Sequence, residues 1–274
     1  MSSLELLGAR RVRELLAEHG ADPKRSLGQN FVIDPNTIRK VCDVSHIETT
    51  DRVLEIGAGC GSLTLGLAAK AAHVIGVEID DKLIHLLRDS FADVPNVSIV
   101  HADALSMPLA DVDATVMVGN LPYNIATLLV LRALEEAPQI ARITAMTQKE
   151  VGERLAAVPG SKSYGQTSVM VRYFGRAEVV AQISRRAFFP VPNVDSVVVQ
   201  VTREPSPDVE HAALSRVVKA AFSQRRKTLR NTLGALGGTP AATAEVLEGA
   251  GISPGARAEE LSLEDFVTIT KALG

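Results

Sequence analysis

One stretch limits the possible folds more than any other. Arg52-Val-Leu-Glu-Ile56 reads as a short buried strand, Gly57-Ala-Gly-Cys-Gly61 as a glycine turn, and Ser62 to Lys70 as a helix. A glycine turn between strand and helix lets a ligand approach the backbone closely, and the helix N-terminus favours polar or negative groups. The spacing departs from the G-x-G-x-x-G of dinucleotide folds, because the third glycine is at 61 and Ser62 follows it. The chain is therefore expected to be an α/β sheet with a ligand at the carboxyl ends of its strands.

The following segments repeat the strand–helix alternation. His73 to Val77 is a second strand ending in Glu78, with a helix at 81–90 behind Asp80-Asp81. An acid about 20 residues beyond the glycine turn is placed to accept hydrogen bonds from both ribose hydroxyls of a nucleoside. A helix-capping carboxylate is the plainer role for the same residue. Val97 to Val100 is a third strand, and its end brings Asp103 and the N–H of Ala104 to where an adenine amine and ring nitrogen need partners. Ala114 to Val118 forms a fourth, running into Asn120-Leu-Pro-Tyr123 and a helix from Ile125 to Leu134. An amide oxygen, a carbonyl before a proline and an aromatic ring can hold one flat, amine-bearing ring. Asn and Pro are also ordinary turn residues. A fifth strand is expected at Ile143 to Thr147, a helix near 149–157, and β-rich runs at Gln166 to Phe174 and Val194 to Val201.

Composition narrows the partners. No stretch reaches the ~18 uninterrupted apolar residues of a membrane span, and the N-terminus lacks a signal-peptide apolar core. Cys42 and Cys60 are too few for a disulfide framework or a zinc site, which suits a reducing cytoplasm. The net charge of −3 argues against nucleic acid, but its distribution does not: no acid occurs between His211 and Ala244. Arg216, Lys219, Arg225, Arg226, Lys227 and Arg230 all lie there, and a local patch binds phosphate whatever the total.

An amphipathic helix is expected at 4–19, followed by a basic, polar loop, Lys24 to Phe31, and a helix capped by Asp34-Pro35. Past the linker at 203–207 the pattern is helical, at about 208–222, 225–235, 240–249 and 262–272. Phe222, Leu229 and Leu233 share a stripe with Arg226, so either the helix breaks near Ser223 or Arg226 faces a partner.

Taken together and in order, these motifs resemble the KsgA-type small-subunit ribosomal RNA adenine dimethyltransferases, the dimethyladenosine transferase family. The resemblance rests on Ser26-Leu-Gly-Gln-Asn-Phe31, Glu55-Ile-Gly-Ala-Gly-Cys-Gly61, Glu78, Asp103, Asn120-Leu-Pro-Tyr123, Ser163-Tyr-Gly165, Phe188-Phe-Pro-Val-Pro192 and Phe222-Ser-Gln-Arg-Arg-Lys-Thr-Leu229. It implies a Rossmann-like class I S-adenosylmethionine (SAM) methyltransferase sheet over 1–204, with an N-terminal helical extension (1–23). A small all-α C-terminal domain at 208–274 would bind RNA through Arg225, Arg226, Lys227 and Arg230. The cofactor would be SAM, without a metal. Asn30, the Val32 backbone, Gly57 and Gly59 would lie at its methionine end, Glu78 on its ribose, and Asp103 and Ala104 on its adenine, with Asn120 between cofactor and target. Tyr123 and Phe188 would stack on the target base, held at its amine by Asn120 and the Leu121 carbonyl. The implied reaction dimethylates N6 of two adjacent adenosines in a hairpin loop near the 3′ end of 16S rRNA. It would take place on an assembling 30S subunit, with the enzyme a cytoplasmic monomer off the membrane.

Three other readings share some of these motifs. DNA adenine methyltransferases usually carry Pro at the position of Leu121. The resistance methyltransferases of large-subunit RNA share most of the motifs, and the helical tail with Gln224-Arg-Arg-Lys-Thr-Leu229 favours the small-subunit branch. An assembly factor could keep the fold while its binding matters more than its catalysis.

Overall fold

The computed structural model describes residues 5–224 and 226–274. The strands are β1 Phe31–Val32, β2 Arg52–Ile56, β3 His73–Glu78, β4 Val97–His101, β5 Val116–Asn120, β6 Arg142–Gln148, β7 Gly175–Ile183, β8 Phe188–Phe189 and β9 Ser196–Arg203. The helices begin with α1 Ala9–Glu18, α2 Pro35–Val44, α3 Ser62–Ala68, α4 Asp81–Ser90, α5 Ala126–Glu136 and α6 Lys149–Leu155. They continue with α7 Gln166–Phe174, α8 His211–Ala221, α9 Leu229–Thr232, α10 Gly234–Gly237, α11 Pro240–Gly249 and α12 Leu263–Leu273. Two compact units emerge, Met1–Gly152 with Glu178–Arg203, and Glu153–Ala177 with Glu204–Gly274.

The first unit is built on a seven-stranded sheet in the order β4-β3-β2-β5-β6-β9-β7. The chain runs outward through β2, β3 and β4, then returns to lay β5 against the other side of β2, both neighbours of β2 being parallel to it. The carboxyl ends of β2 and β5 thus meet at the point where strand order reverses, the place where open α/β sheets leave a crevice. Register does the rest. Ile56 pairs with Gly119, so the glycine turn at Gly57 emerges beside Asn120. A methyl on Gly119 would sit 2.7 Å from the Ile56 carbonyl oxygen, so glycine permits this close approach of the two strand ends.

Helix α1 packs Val12, Leu15 and Leu16 against Phe31, Cys60, Leu83 and Leu86. The N-terminal extension therefore buttresses the glycine turn and the loop that follows it. Asp34 caps α2, accepting from the Asn36 and Thr37 N–H groups at 3.1 Å, with Pro35 at the first helical position. Both cysteines are buried thiols. No helix among the described residues is long and apolar enough to cross a membrane.

The second unit corrects one expectation and extends another. Gln166 to Phe174 is a helix, not a strand: Val169, Met170, Val171, Tyr173 and Phe174 are all buried. A short run buried on several faces has no period by which a strand can be told from a helix. This helix belongs with the C-terminal helices, so their unit takes in residues 153–177 as well as the expected 208–274. Aromatic contacts explain the grouping. The Tyr164 ring meets Phe222 edge-on at 6.1 Å, and its hydroxyl donates to the Leu261 carbonyl at 2.7 Å. Phe222 in turn meets Phe266 at 5.9 Å. Helix α8 stops at Ala221 and the next helical turn begins at Leu229, so the helix does break near Ser223. Arg226, Lys227 and Arg230 are exposed there, and Arg225 lies outside the described residues.

Gly119→Ala should lower unfolding free energy by ~1–3 kcal/mol, the range for forcing extra volume into a packed site. Urea denaturation would show it; unchanged stability would mean that β2 and β5 can part without cost.

Candidate active site

A cleft of about 270 Å³ opens at this switch point. Its wall includes Asn30, Gly57, Gly59, Glu78, Asp103, Ala104, Asn120, Leu121 and Tyr123. Nine of the eleven residues expected at the cofactor and target sites are thus brought together. Phe188 is not, and of Val32, expected there through its backbone, the side chain faces away. They pair with each other across β1 and β8, and their side chains join the core around Ile38 and Val41. Phe188 is 0% exposed, so the expected second stacking wall lies under the surface, drawn there by this pairing.

The glycine turn owes its shape to backbone conformation. Gly57 and Gly59 have φ of 77° and 59°, the left-handed region that side chains disfavour. A methyl on Gly59 would also meet the Phe31 ring at 3.1 Å. The turn is tied down by Glu78, which is buried at the end of β3. Its Oε2 accepts from the Gly59 N–H at 2.9 Å, and its Oε1 from the N–H groups of Ile79 (2.8 Å) and Asp80 (3.0 Å). A carboxylate has about four acceptor positions, so these three bonds leave one, on Oε2.

Asp103 closes the turn after β4. Its Oδ1 accepts from the Leu105 N–H at 2.9 Å and its backbone carbonyl from the Ser106 and Met107 N–H groups, and the residue lines the cleft. Across the cleft, the Asn120 amide Nδ2 donates to the Asn30 carbonyl at 2.7 Å. That bond fixes which way the amide faces: one N–H of Nδ2 is committed to Asn30, and Oδ1 is left as the acceptor. Leu121 donates its N–H to the Met146 carbonyl at 3.0 Å, fixing the Asn120–Leu121 peptide, one link before the carbonyl that precedes Pro122. The Tyr123 hydroxyl lies 3.3 Å from Ser196 Oγ, and burial raises its pKa above the usual phenol value.

Asp80 is a functional residue that the sequence reading passed over. It is buried, yet it gathers Lys24 Nζ at 2.8 Å, Gln29 Nε2 at 3.0 Å and the Lys82 N–H at 3.1 Å. Burial opposes its charge, but the bonds from Lys24, Gln29 and Lys82, with the Lys24 charge, outweigh it and hold the carboxyl below its ordinary value. These bonds pin the loop 24–31 to the end of β3. The same loop touches the opposite wall, since a methyl on Gly28 would lie 3.4 Å from Pro122. A basic loop early in the chain and an acid two residues past Glu78 were the available signals, but nothing local joins positions 24 and 80.

Glu55 is different in kind. It points into the sheet interior, opposite Gly76, and is 1% exposed. Burial, with the Glu78 charge adding to it, pushes its pKa up to about 8, so it is mostly protonated at neutral pH. Among the described residues, no group of three or more His, Cys, Asp or Glu is placed to hold a metal ion.

Comparison with known proteins bears on this geometry. The family model for "Ribosomal RNA adenine dimethylase" matches residues 20–274. A ribosomal RNA small subunit methyltransferase A from Leifsonia xyli subsp. xyli is 42% identical over 277 residues, covering 98% of this chain and 99% of the relative. Its counterpart from Mycobacterium tuberculosis is 41% identical over 284 residues, 99% of this chain and 90% of the relative. Among solved structures, a dimethyladenosine transferase from Plasmodium falciparum aligns with a TM-score of 0.77 at 25% identity, over 86% of this chain and 94% of that one. The 23S rRNA methyltransferase ErmE aligns at 0.72 and 29%, over 89% and 99%.

The Glu55 carboxyl generates a pH prediction. The unfolded chain releases this proton above about 4.5 and the folded chain keeps it to about 8, so the folded state binds more protons between those values. Stability should therefore fall with rising pH in that window, by up to about 1.4 kcal/mol per unit. The stability of Glu55→Gln relative to wild type, followed by urea denaturation from pH 5 to 8, should improve steadily; a constant gap would contradict the assignment.

Two strand ends held at backbone distance, a glycine turn tied by an acid and an amide with its oxygen left open thus stand in a chain matched from residue 20 to its last residue, and this chain belongs to the ribosomal RNA adenine dimethylase family of SAM-dependent methyltransferases.

Proposed function

We propose that the chain transfers methyl groups from SAM to N6 of two adjacent adenosines in a hairpin loop near the 3′ end of the 16S rRNA of an assembling 30S subunit. The observation that carries the reading is the Asn120–Asn30 bond, which leaves an oriented acceptor oxygen at the cleft. The printed names of the relatives, small-subunit methyltransferase A and dimethyladenosine transferase, support the substrate.

The residues present suit SAM. Gly57 and Gly59 line the cleft without side chains, so a ligand can approach their backbone closely, Glu78 keeps one acceptor position for a ribose hydroxyl, and the second Asp103 carboxylate oxygen suits an adenine amine. Ala104 would present its N–H to the adenine ring, and Asn30 would border the methionine end. When bound, the cofactor supplies an electron-poor methyl carbon on a sulfonium sulfur.

An exocyclic adenine amine is a weak nucleophile, because its lone pair is delocalised into the ring. Asn120 Oδ1 and the Leu121 carbonyl would accept its two N–H groups and turn the lone pair out of the ring plane. Positioning of this kind contributes several kcal/mol. As the nitrogen gains positive charge, the same two acceptors stabilise it without having to reorganise. The proton becomes acidic only after the N–C bond forms, so it passes to water and no general base is assigned. Tyr123, its hydroxyl beside Ser196, would stack on the extruded base, worth ~1–3 kcal/mol. The reading assigns no role to a metal.

The exposed Arg226, Lys227 and Arg230 suit phosphate contacts, as does Arg225 by its position in the sequence. In this reading the sheet unit carries the chemistry and the helical unit the RNA contacts, and the enzyme works as a monomer in the cytoplasm.

Transfer of labelled methyl from SAM to purified small subunits lacking the modification tests the substrate, with product mapped by primer extension. Label should appear as dimethyladenosine on paired adenosines near the 3′ end. Label only on large-subunit RNA would move the chain to the branch of ErmE. SAM binding with no transfer anywhere would leave an assembly factor. Asn120→Ala should cut the transfer rate by about 100-fold or more, with SAM binding weakened far less, given several kcal/mol of lost positioning. Wild-type rates would remove Asn120 from the chemistry. Replacing Arg226, Lys227 and Arg230 with Gln should weaken binding to pre-subunits and lower its salt slope by roughly one unit per lost contact; an unchanged slope would place the RNA elsewhere.

A further inference from the structure

Helix α5 follows directly from the tetrapeptide at 120–123, and one of its side chains reaches back across the sheet end. Arg132 Nη1 donates to the Ala104 carbonyl and Nη2 to the Met107 carbonyl, both at 2.9 Å. Its Nε donates to Glu136 Oε1 at 2.7 Å, and Nη2 also meets Glu136 Oε2. The guanidinium is thus filled along two edges, and its side chain is only 16% exposed. A planar fork held side-on by a carboxylate has no freedom to follow a moving loop.

What the fork holds matters. The Ala104 carbonyl and the Leu105 N–H belong to one peptide plane. Arg132 takes the oxygen of that plane, and Asp103 Oδ1 takes its hydrogen at 2.9 Å. Turning the plane would turn the Asp103 carboxylate with it. We infer that Arg132 is a positioning residue for recognition of the cofactor's adenine, setting the direction of the Asp103 carboxylate through the Ala104–Leu105 peptide. The inference rests on the proposed role of Asp103 at the adenine amine. Arg132 itself does not line the cleft; it acts on Asp103 through that loop, and its charge also faces the Asp103 carboxylate. Arg132 is also anchored on the helix that starts at the target-base loop, so one side chain joins the cofactor's base to the wall that holds the substrate.

The chemistry predicts a specific loss. An Asp103 oxygen aimed at an adenine amine accepts a hydrogen bond; where a hydrogen atom replaces the amine it has no donor to meet. Calorimetric binding of S-adenosylhomocysteine, and of its 6-deamino analogue, which keeps the ring nitrogen as an acceptor, measures this discrimination directly. Wild type should favour the amine form strongly. Arg132→Met should lose roughly tenfold of that preference, the scale of one hydrogen bond, by weakening the amine form while hardly changing the deamino form. Arg132→Lys keeps the charge but cannot span both carbonyls, and it should not restore the preference. In transfer assays, Arg132→Met should raise KM for SAM with kcat nearly unchanged.

Asp103→Ala distinguishes a failure at Asp103 from a failure at Arg132. If Asp103→Ala keeps the wild-type preference, the reading of Asp103 fails. If Asp103→Ala loses it and Arg132→Met keeps it, the reading of Asp103 stands and the inference about Arg132 is overturned. Equal weakening of both ligands by Arg132→Met, at an unaltered melting temperature, would also overturn it, since that is the mark of general loosening.

Discussion

A single hydrogen bond, from the Asn120 side-chain amide to the Asn30 carbonyl, decides what the cleft can do. An isolated Asn can present either end of its amide to a ligand. Here the nitrogen is spent on a backbone carbonyl, and the oxygen is left as the acceptor an amine requires. The bond needs the loop 24–31 held over the cleft; the pairing of β1 with β8 fixes the loop's end, and a buried charge fixes its start. Asp80 collects Lys24 and Gln29 from the loop and caps α4 through the Lys82 N–H. An ion pair with one partner this deeply buried gains little unless further hydrogen bonds satisfy most of its lone pairs, and the Gln29 and Lys82 bonds do so here. The strand-end acid thus indirectly orients a side chain on the far wall.

The same economy of fixed backbone runs through the cofactor half. Glu78 is bonded mainly to the protein itself, clamping the glycine turn to the end of β3 and keeping one acceptor position in reserve. Asp103 is held by its own turn, and that turn by Arg132. Each recognising group has its direction set before any ligand arrives. That suits a reaction whose difficulty lies in orienting a weak nucleophile. Glu55, buried behind the turn and largely neutral, places no further charge there.

Much of this was legible in the residues. The strand–glycine–helix unit, Glu78, Asp103 and Asn120-Leu-Pro-Tyr123 lie at strand ends, and a strand end can be located from its apolar run. Parallel pairing then brings such ends together, as it does Gly57 and Asn120. The unread parts depend on contacts between distant positions. Asp80 with Lys24, and Arg132 with the loop at 104–107, involve ordinary surface residue types whose partners lie 56 and about 28 residues away. Phe188 was misplaced because two adjacent Phe beside prolines offer two rings to one surface. Pairing with Val32 sends Phe188 into the core, whereas Phe189 remains near the exterior, 5.0 Å beneath Arg13. Gln166 to Phe174 was misread because a buried helix this short shows no helical period.

The most direct measurement is hydrogen exchange of the Asn120 side-chain amide in the free protein, by nuclear magnetic resonance with nitrogen labelling. One Nδ2 proton should be shifted downfield and slow to exchange, and both features should be lost in Asp80→Asn as the loop comes free. An Asn120 amide that exchanges as fast as an exposed side chain, in a protein that still transfers methyl groups at the full rate, would contradict the role of the Asn120–Asn30 bond.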